Sequence, residues 1–306
     1  MADWSKVSVY GALAGNLAIT ATKFTAAAIT GSSAMLSEGI HSAVDSGDQV
    51  LLLIGMRRSE LPPDAVHPFG HGKELYFWSL LVAVLIFGVG GGVSIYEGIL
   101  HVLDPEPLRD PLWNYVVLGS ALVFESASLA VAFHAFLKQH GAGGFWAKVA
   151  ASKDPTTYTV IAEDMAAVSG LVIAFAGVYL SHTLDAPVLD GVASILIGLL
   201  LAGVATVLIR QCRGLLIGAG LDARTTREIE VMVGSAPLVR WSSRPLSMYF
   251  GPDDVLLAVD VQFDAEASAL EVGREIAQLE RQIKQRFPFI TRIYVEASGA
   301  SAARVR

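Results

Sequence analysis

Long apolar runs separated by short polar segments fill the first two thirds of the chain. A helix needs about 20 consecutive apolar residues to cross the hydrocarbon core of a bilayer. Six stretches reach that length, at roughly residues 7–29, 33–56, 74–100, 112–137, 158–181 and 187–211. The pattern therefore predicts a polytopic α-helical membrane domain of six transmembrane helices over residues 1–212.

Basic residues are concentrated in alternate connections between these stretches. The connections on one side carry Lys6, Arg57, Arg58, Lys73, Lys138, Lys148, Lys153, Arg210 and Arg213. The connections on the other side carry only Arg109. Because cytoplasmic loops are enriched in lysine and arginine, both termini are predicted to be cytoplasmic. The first residues hold one acid and one base, which favours a retained first span over a cleaved signal peptide.

The pattern changes at about residue 213, where charges return and the long apolar runs end. Asp222 is placed to cap a helix over 224–235, and strands are predicted over 245–250 and 255–263. A helix follows, with Val272, Ile276, Leu279 and Ile283 on one stripe. Pro288 ends it before a short strand at 293–295. The order αββαβ predicts a small α+β domain over residues 213–306.

Composition supports a membrane protein and excludes several other classes. Hydrophobic residues make up 53% of the 306 residues and charged residues 17%, and the mean hydropathy is +0.52. Soluble domains carry about 25% charge. The net charge of −7 gives no basic field for nucleic acid. The single Cys212 excludes a disulfide framework or a cysteine-rich zinc module.

Charged residues inside the predicted spans are the strongest functional signal. Span 2 carries Glu38, His41, Asp45 and Asp48, whose offsets of 3, 4 and 3 place them on one helical stripe. Span 5 carries the adjacent pair Glu163 and Asp164. Charges in a bilayer cost about 2.5–3.5 kcal/mol each on insertion scales, so each needs a reason.

These charges admit two interpretations. In one, carboxylates and an imidazole from two helices bind a divalent ion and exchange it for protons, since such ligands must lose protons to bind metal. In the other, the acids have structural partners, for which Lys23 in span 1 is available. Ion binding is favoured for His41 and Asp45. Glu38 and Asp48 remain open, and a structural or pathway role is favoured for the single charges Glu97, Glu125, His134 and Asp190.

One imidazole with two or three carboxylates suits zinc, and more oxygen-rich sets suit manganese or iron. The connection between spans 2 and 3 adds a second candidate site. Asp64, His67 and His71 stand within eight positions of one another. A weaker metal site and a polar loop with pH-sensitive histidines are equally favoured by the residues alone.

These motifs resemble the cation diffusion facilitator family of zinc and other divalent-metal exporters. The resemblance is carried by the span 2 run from Ser37 to Asp45, the His67-Pro-Phe-Gly-His71-Gly-Lys73 loop, the Gly31-Ser-Ser-Ala-Met-Leu-Ser-Glu-Gly segment and Asp104-Pro-Glu-Pro. It covers nearly the whole chain. It implies a ferredoxin-like cytoplasmic domain that joins two protomers.

The resemblance also implies site residues. The family's transport site takes two ligands four apart in span 2, matched by His41 and Asp45, and two four apart in span 5. Asp164 matches the second of these, but the first falls at Val160, which cannot ligate. Glu163, next to Asp164, is the expected substitute ligand, as in a divergent branch that includes a mitochondrial zinc transporter of animals. Asp64, His67 and His71 match the family's interfacial site.

The prediction is therefore a homodimeric, proton-coupled efflux antiporter of Zn²⁺, with Mn²⁺, Fe²⁺, Co²⁺ and Cd²⁺ as alternative substrates. It is expected to be a multi-pass protein of the bacterial inner membrane, in contact with lipid and without nucleic acid. It is not expected to be an enzyme. The alternatives are an intramembrane metal-dependent hydrolase that uses His67 and His71, and a non-transporting, metal-sensing assembly partner. Met248, Phe250 and Phe289 are the expected apolar contacts of the dimer.

Overall fold

The structure is a computed structural model that describes the backbone of residues 2–105, 111–140 and 155–297. Its contacts divide the chain into two compact units. The first comprises Met1–Arg57 and Phe77–Cys212, and the second comprises Arg58–Tyr76 and Arg213–Arg306. The predicted domains divided the chain between residues 212 and 213. The structure adds that the segment after the second helix packs with the C-terminal residues.

Helices account for almost all of the first unit. They are α1 (Ala2–Thr30), α2 (Ser33–Ser59), α3 (Glu74–Leu85), α4 (Gly92–Leu103), α5 (Pro111–His140), α6 (Pro155–Thr183) and α7 (Val188–Ile217), with a π-helical segment (Ile86–Gly91) joining α3 to α4.

Four helical stretches among the described residues are long and apolar enough to cross a membrane. They are Glu74–Leu103, Leu112–Ala130, Ile161–Thr183 and Val188–Ile217. A helical membrane domain is therefore present. The predicted spans at 7–29 and 33–56 coincide with α1 and α2, but the count of six spans stays a prediction. The polar stripe of α2 lowers its mean hydropathy.

Glycines bring α4 and α7 into backbone contact. A Cβ atom on Gly98 would lie 2.7 Å from the carbonyl oxygen of Gly191, and one on Gly191 would lie 2.9 Å from that of Gly98. One on Gly198 would lie 2.8 Å from the carbonyl oxygen of Gly91. Gly91, which ends the π-helical segment, and Gly98 are seven residues apart, as are Gly191 and Gly198, which places each pair on one face. Small residues at such positions let membrane helices approach closely.

The start of α2 is held by Asp190 from α7. Its Oδ1 accepts from Ser32 Oγ at 2.7 Å, and its Oδ2 accepts from the N–H groups of Ser33 at 2.6 Å and Ala34 at 3.2 Å. The first N–H groups of a helix have no partner within the helix, so a buried carboxylate there acts as a cap. This contact fixes the position of the helix that carries the polar stripe.

The C-terminal residues of the second unit form a sheet with two helices. The elements are α8 (Ala223–Gly234), β1 (Val239–Ser242), β2 (Leu246–Gly251), β3 (Asp254–Phe263), α9 (Ala269–Arg286) and β4 (Ile290–Ala297). Strand β3 is central, with β1 and β2 antiparallel to its two halves on one side and β4 parallel on the other.

The sequence pattern explains most of these elements. Asp222 caps α8 by accepting from the N–H groups of Arg224 and Thr225, as predicted. Val259 and Val261 are buried on one face of β3, as their alternation indicates. The four-residue strand β1 was missed, because it is too short to show a period of two. The α+β arrangement is observed, and the ferredoxin-like classification stays a prediction.

Candidate metal-binding sites

Two helical turns of α2 present His41 and Asp45 to the interior of the first unit. His41 is 1% exposed, and its Nδ1 lies 3.4 Å from Asp45 Oδ1. Both ring nitrogens of His41 and the Oδ1 atom of Asp45 are buried without a hydrogen-bond partner. Buried polar atoms are nearly always satisfied, so unpaired ones indicate a functional arrangement or an absent ligand.

A small cavity lies between α1, α2, α5 and α6. Four acidic side chains from three of these helices line it: Asp45, Glu125, Glu163 and Asp164. Ser128 Oγ donates to Asp164 Oδ2 at 3.3 Å. His41 does not line this cavity, although its partner Asp45 does. The cavity therefore gathers three of the four predicted transport ligands.

Glu163 is oriented as a ligand would be. It is 8% exposed, and its Oε1 atom has no hydrogen-bond partner. It lines the same cavity as Asp164, although the two are adjacent in sequence. The side chain of Val160 lies outside the described residues. The geometry is compatible with Glu163 as the substitute ligand, which stays a prediction.

The four predicted transport ligands do not form a closed coordination site. Among the described residues, one group of three ligating side chains has atoms within 4.8 Å of one another, and it lies in the loop after α2. His41, Asp45, Glu163 and Asp164 approach one another from two helices without reaching that spacing. Binding an ion by all four would require their side chains to move together.

The remaining charges of α2 have different environments. Lys23 Nζ from α1 lies 3.1 Å from Glu38 Oε2 and donates to Ser42 Oγ at 2.7 Å, and Lys23 and Glu38 are fully buried. Glu38 is thus neutralised by an ion pair. Asp48 is also buried, but neither of its carboxylate oxygens has a partner. Glu125 lines the acidic cavity, whereas His134 is exposed.

The loop after α2 brings Asp64, His67 and His71 together. His67 Nδ1 lies 3.3 Å from Asp64 Oδ1, and His71 Nε2 lies 3.4 Å from Asp64 Oδ2. The two imidazole rings are 4.4 Å apart between centroids. One ligand atom from each residue lies within 4.8 Å of the others. Two imidazoles and a carboxylate with a further side open to solvent are a ligand set that zinc accepts.

Backbone hydrogen bonds prepare the loop carboxylate. The N–H of His67 donates to Asp64 Oδ1 at 2.6 Å and that of Val66 at 2.8 Å. These bonds, that of His67 foremost, hold the pKa of Asp64 below its usual range. Asp64 is therefore a carboxylate at any pH near neutrality, and it needs no proton release before it binds a cation.

The same loop packs on the sheet of the second unit. The ring of Phe69 stacks on that of Phe250, with centroids 5.1 Å apart. Arg292 from β4 donates to the carbonyl oxygen of Phe69 at 3.1 Å and to Asp254 Oδ1 at 2.6 Å. A Cβ atom on Gly72 would collide with the carbonyl oxygen of Phe250. Sequence reasoning missed this packing, because it joins residues about 180–220 positions apart.

Comparison with known proteins identifies the family. A model of the cation efflux transmembrane domain matches residues 9–217. The proton-coupled zinc antiporter SLC30A9, mitochondrial, of Xenopus laevis is 32% identical over 90% of this chain and 56% of its own length. The Mus musculus protein of that name is 35% identical over 79% of this chain and 43% of its own length. Metal tolerance protein C4 of Arabidopsis thaliana is 31% identical over 86% of this chain and 58% of its own length.

These relatives also correct one expectation. The chain spans about half the length of the relatives that it matches. The two antiporters are from animals and are named as mitochondrial, so the predicted bacterial inner membrane is wrong. Apolar spans and basic loops define how a chain crosses a bilayer and carry no information on which membrane it enters. The multi-pass membrane prediction is compatible with the family. The match over 9–217 shows that the chain belongs to the cation efflux family, whose members are transporters rather than enzymes.

Proposed function

We propose that this chain is a proton-coupled antiporter of divalent metal ions, with zinc as the principal substrate. The carrying observation is the acidic cavity, where Asp45, Glu163 and Asp164 from two helices face one another beside His41. The names of the relatives, a zinc antiporter and a metal tolerance protein, support the same substrate class.

The chemistry of exchange follows from this ligand set. Several carboxylates in one buried cavity repel one another when all are charged, so they bind either protons or a cation. A zinc ion entering from one side would displace the protons, and protons arriving from the other side would displace the ion. Such exchange needs the cavity to open to each side in turn, and adjustment of α2 against α6 would bring the four ligands together.

We also propose a molecular organisation. Residues 1–212 would form six spans with both termini in the cytoplasm, and residues 213–306 a ferredoxin-like domain that joins two protomers. Asp64, His67 and His71 would bind a second ion. Water would complete the coordination of that ion on its exposed side. Mn²⁺, Fe²⁺, Co²⁺ and Cd²⁺ are competing substrates. The preference among these ions depends on how many of the four predicted side chains coordinate the ion.

Metal uptake into proteoliposomes with an imposed pH gradient tests the function. Asp45→Asn and Asp164→Asn each retain side-chain volume but remove a charge that exchanges with protons. We expect zinc flux to fall to the level of empty liposomes, with protein insertion unchanged. Asp185→Asn, at an exposed position whose positive φ of 50° asparagine tolerates, is the matched control. Flux close to that of the unmodified chain in Asp45→Asn would refute the assignment. Absence of flux in the unmodified chain would favour the assembly-partner alternative.

A further inference from the structure

A second cavity lies in the first unit, where α2 begins and α4 ends. It holds about 1200 Å³ of open space, and residues from α1, α2 and α4 line it. Its polar lining consists of Ser32, Ser33, Glu97, His101 and Asp104. His41 lies eight residues after Ser33, which is about 12 Å along the helix axis. The cavity is therefore separate from the acidic one, and the transport residues do not line it.

His101 supplies the main evidence for a ligand in this cavity. Its side chain is 10% exposed, and its Nε2 atom is buried without a hydrogen-bond partner. The Nε2 atom lies 4.0 Å from Asp190 Oδ2, which is a long ion-pair separation and beyond hydrogen-bond distance. A buried imidazole nitrogen without a hydrogen-bond partner is unusual, and a separation of 4.0 Å from a carboxylate oxygen leaves room for an ion between the two atoms.

Asp190 contributes charge without contributing a free ligand atom. Its two oxygens accept four hydrogen bonds from Ser32, Ser33 and Ala34 at the start of α2. These bonds keep the carboxylate in one position. A fixed negative charge close to His101 favours a cation in the cavity over a neutral or anionic ligand.

Glu97 and Asp104 complete the donor set. Glu97 lies one helical turn before His101 on the same face of α4, and Asp104 is the residue that caps the end of this helix, three positions after His101. Glu97 is half-buried and Asp104 is exposed, and both line the cavity. Glu97 and His101, four positions apart, are neighbours on the helix surface. One imidazole nitrogen and two carboxylate oxygens are ligands for a borderline divalent metal.

We propose that this cavity binds a divalent metal ion through His101, Glu97 and Asp104, with Asp190 providing a fixed countercharge. The three ligands are not gathered within 4.8 Å in the described structure, so the ion draws the two carboxylates toward the buried imidazole. If the chain is the antiporter proposed above, this end of α2 is the non-cytoplasmic end, and the site receives the ion on release. Metal binding itself does not depend on that assignment.

Zinc binding to the full chain in detergent tests the proposal. The starting variant is Asp164→Asn combined with His71→Ala, which weakens the two sites described earlier. Bound zinc is counted by equilibrium dialysis and elemental analysis. We expect His101→Ala and Glu97→Gln each to lose about one zinc ion per chain at a concentration that saturates the starting variant. The matched control is His182→Ala, which removes an exposed histidine that does not line the cavity. Equal zinc content in all variants would overturn the proposal.

A second measurement needs no variant at the site. Diethylpyrocarbonate modifies imidazoles at rates that rise with their accessibility, so the reaction is run long enough to modify His101, which is 10% exposed, in the zinc-free chain. Mass spectrometry reads each histidine separately. We expect zinc to slow the modification of His101 at least fivefold and to leave His182 unchanged. Equal modification of His101 with and without zinc would overturn the proposal, since it would leave the imidazole free. Protection of His101 in a chain without zinc flux would refute the antiporter function alone, whereas flux without protection would refute this site alone.

Discussion

Glu163 is the residue at which this chain departs most clearly from the commoner family pattern. A ligating residue is expected four positions before Asp164, where the chain has Val160. Glu163 is buried, unpaired at Oε1 and directed into the acidic cavity. A side chain without a structural partner that lines a cluster of acids is better explained by a cation than by packing.

We therefore expect Glu163→Gln to weaken zinc binding by roughly tenfold or more, a loss of about 1.4 kcal/mol or more. The amide keeps the shape but gives up the charge and the basicity of the oxygen. Isothermal titration of the purified chain measures the change, and Glu266→Gln, an exposed acid in the second unit, is the control. Adding Val160→His to Glu163→Gln should recover affinity. Unchanged affinity in Glu163→Gln would show that the acid is structural.

Asp64 offers a way to separate charge from loop geometry. Its Oδ1 accepts the N–H groups of Val66 and His67, and its depressed pKa keeps it charged at neutral pH. Asp64→Asn keeps the acceptor oxygen and removes the charge, whereas Asp64→Ala removes both. We expect both variants to weaken zinc binding at the loop.

Proteolysis distinguishes the two variants of Asp64. We expect Asp64→Ala to be cut faster within 58–76 than the unmodified chain, and Asp64→Asn to be cut at the same rate. The loop's zinc affinity is measured by titration in an Asp164→Asn background. Equal zinc affinity in all three chains would exclude Asp64 as a ligand.

Residue spacing predicted some of these features and not others. Offsets of three and four in a helix were sufficient to place His41 and Asp45 together, because a helix has a fixed period. Spacing alone could not distinguish Glu38 from the metal ligands, because its ion-pair partner Lys23 is on another helix. His101 was missed for the same reason. It is a lone histidine in sequence, and its significance depends on Asp190, 89 positions later.

Helix-level predictions succeeded where apolar runs were long and failed where a contact depends on backbone approach. The helices of the first unit follow the predicted stretches, although the π-helical segment Ile86–Gly91 inside one of them was not anticipated. This segment ends in consecutive glycines, Gly90 and Gly91, and the second approaches Gly198. From sequence alone, glycine in an apolar helix indicates a lower helix propensity. Its role in close packing becomes visible only when the partner helix is known.

The contact between α4 and α7 gives a prediction at this scale. Gly98→Ala places a methyl group 2.7 Å from the carbonyl oxygen of Gly191. This oxygen belongs to the backbone of α7, so it cannot move aside as the end of a flexible side chain could. We expect a loss of about 1–3 kcal/mol, which is the usual cost of overpacking. Thermal unfolding in detergent measures it. Gly119→Ala in α5 is the control, because a Cβ atom there meets nothing within 4 Å. An equal change in the two variants would mean that α4 and α7 are not in close contact.

At the scale of the whole molecule, the question is how two protomers could associate. From Arg213 onward the sequence has no histidine and no cysteine, the strongest zinc ligands. Association through that segment is therefore expected to rest on apolar contacts rather than on zinc. Of the residues first expected to make them, Phe250 stacks on Phe69 and Phe289 packs against the core of its own unit. Their apolar surface is thus used within the protomer.

The sheet offers a different apolar surface. Leu246 of β2 pairs with Ala258 of β3, which pairs with Tyr294 of β4. Residues paired in this way share one face of a sheet. Leu246 is 70% exposed and Tyr294 is 54% exposed, whereas Leu257 and Val259, on the opposite face of β3, are buried in the core. This row, Leu246–Ala258–Tyr294, is the candidate contact between protomers.

We expect the full chain in detergent to be a dimer with or without a chelator, and Leu246→Asp combined with Tyr294→Asp to convert it to a monomer. Two charges on the row cost desolvation on association but remain hydrated in the isolated protomer. Light scattering coupled to size exclusion should show the protein mass halved. The control is Val231→Asp together with Leu270→Asp, which charges exposed apolar residues on the helices instead of the sheet. Dissociation on chelation of the unmodified chain would show that metal joins the protomers, and a dimer that survives both sheet substitutions would move the contact to another surface.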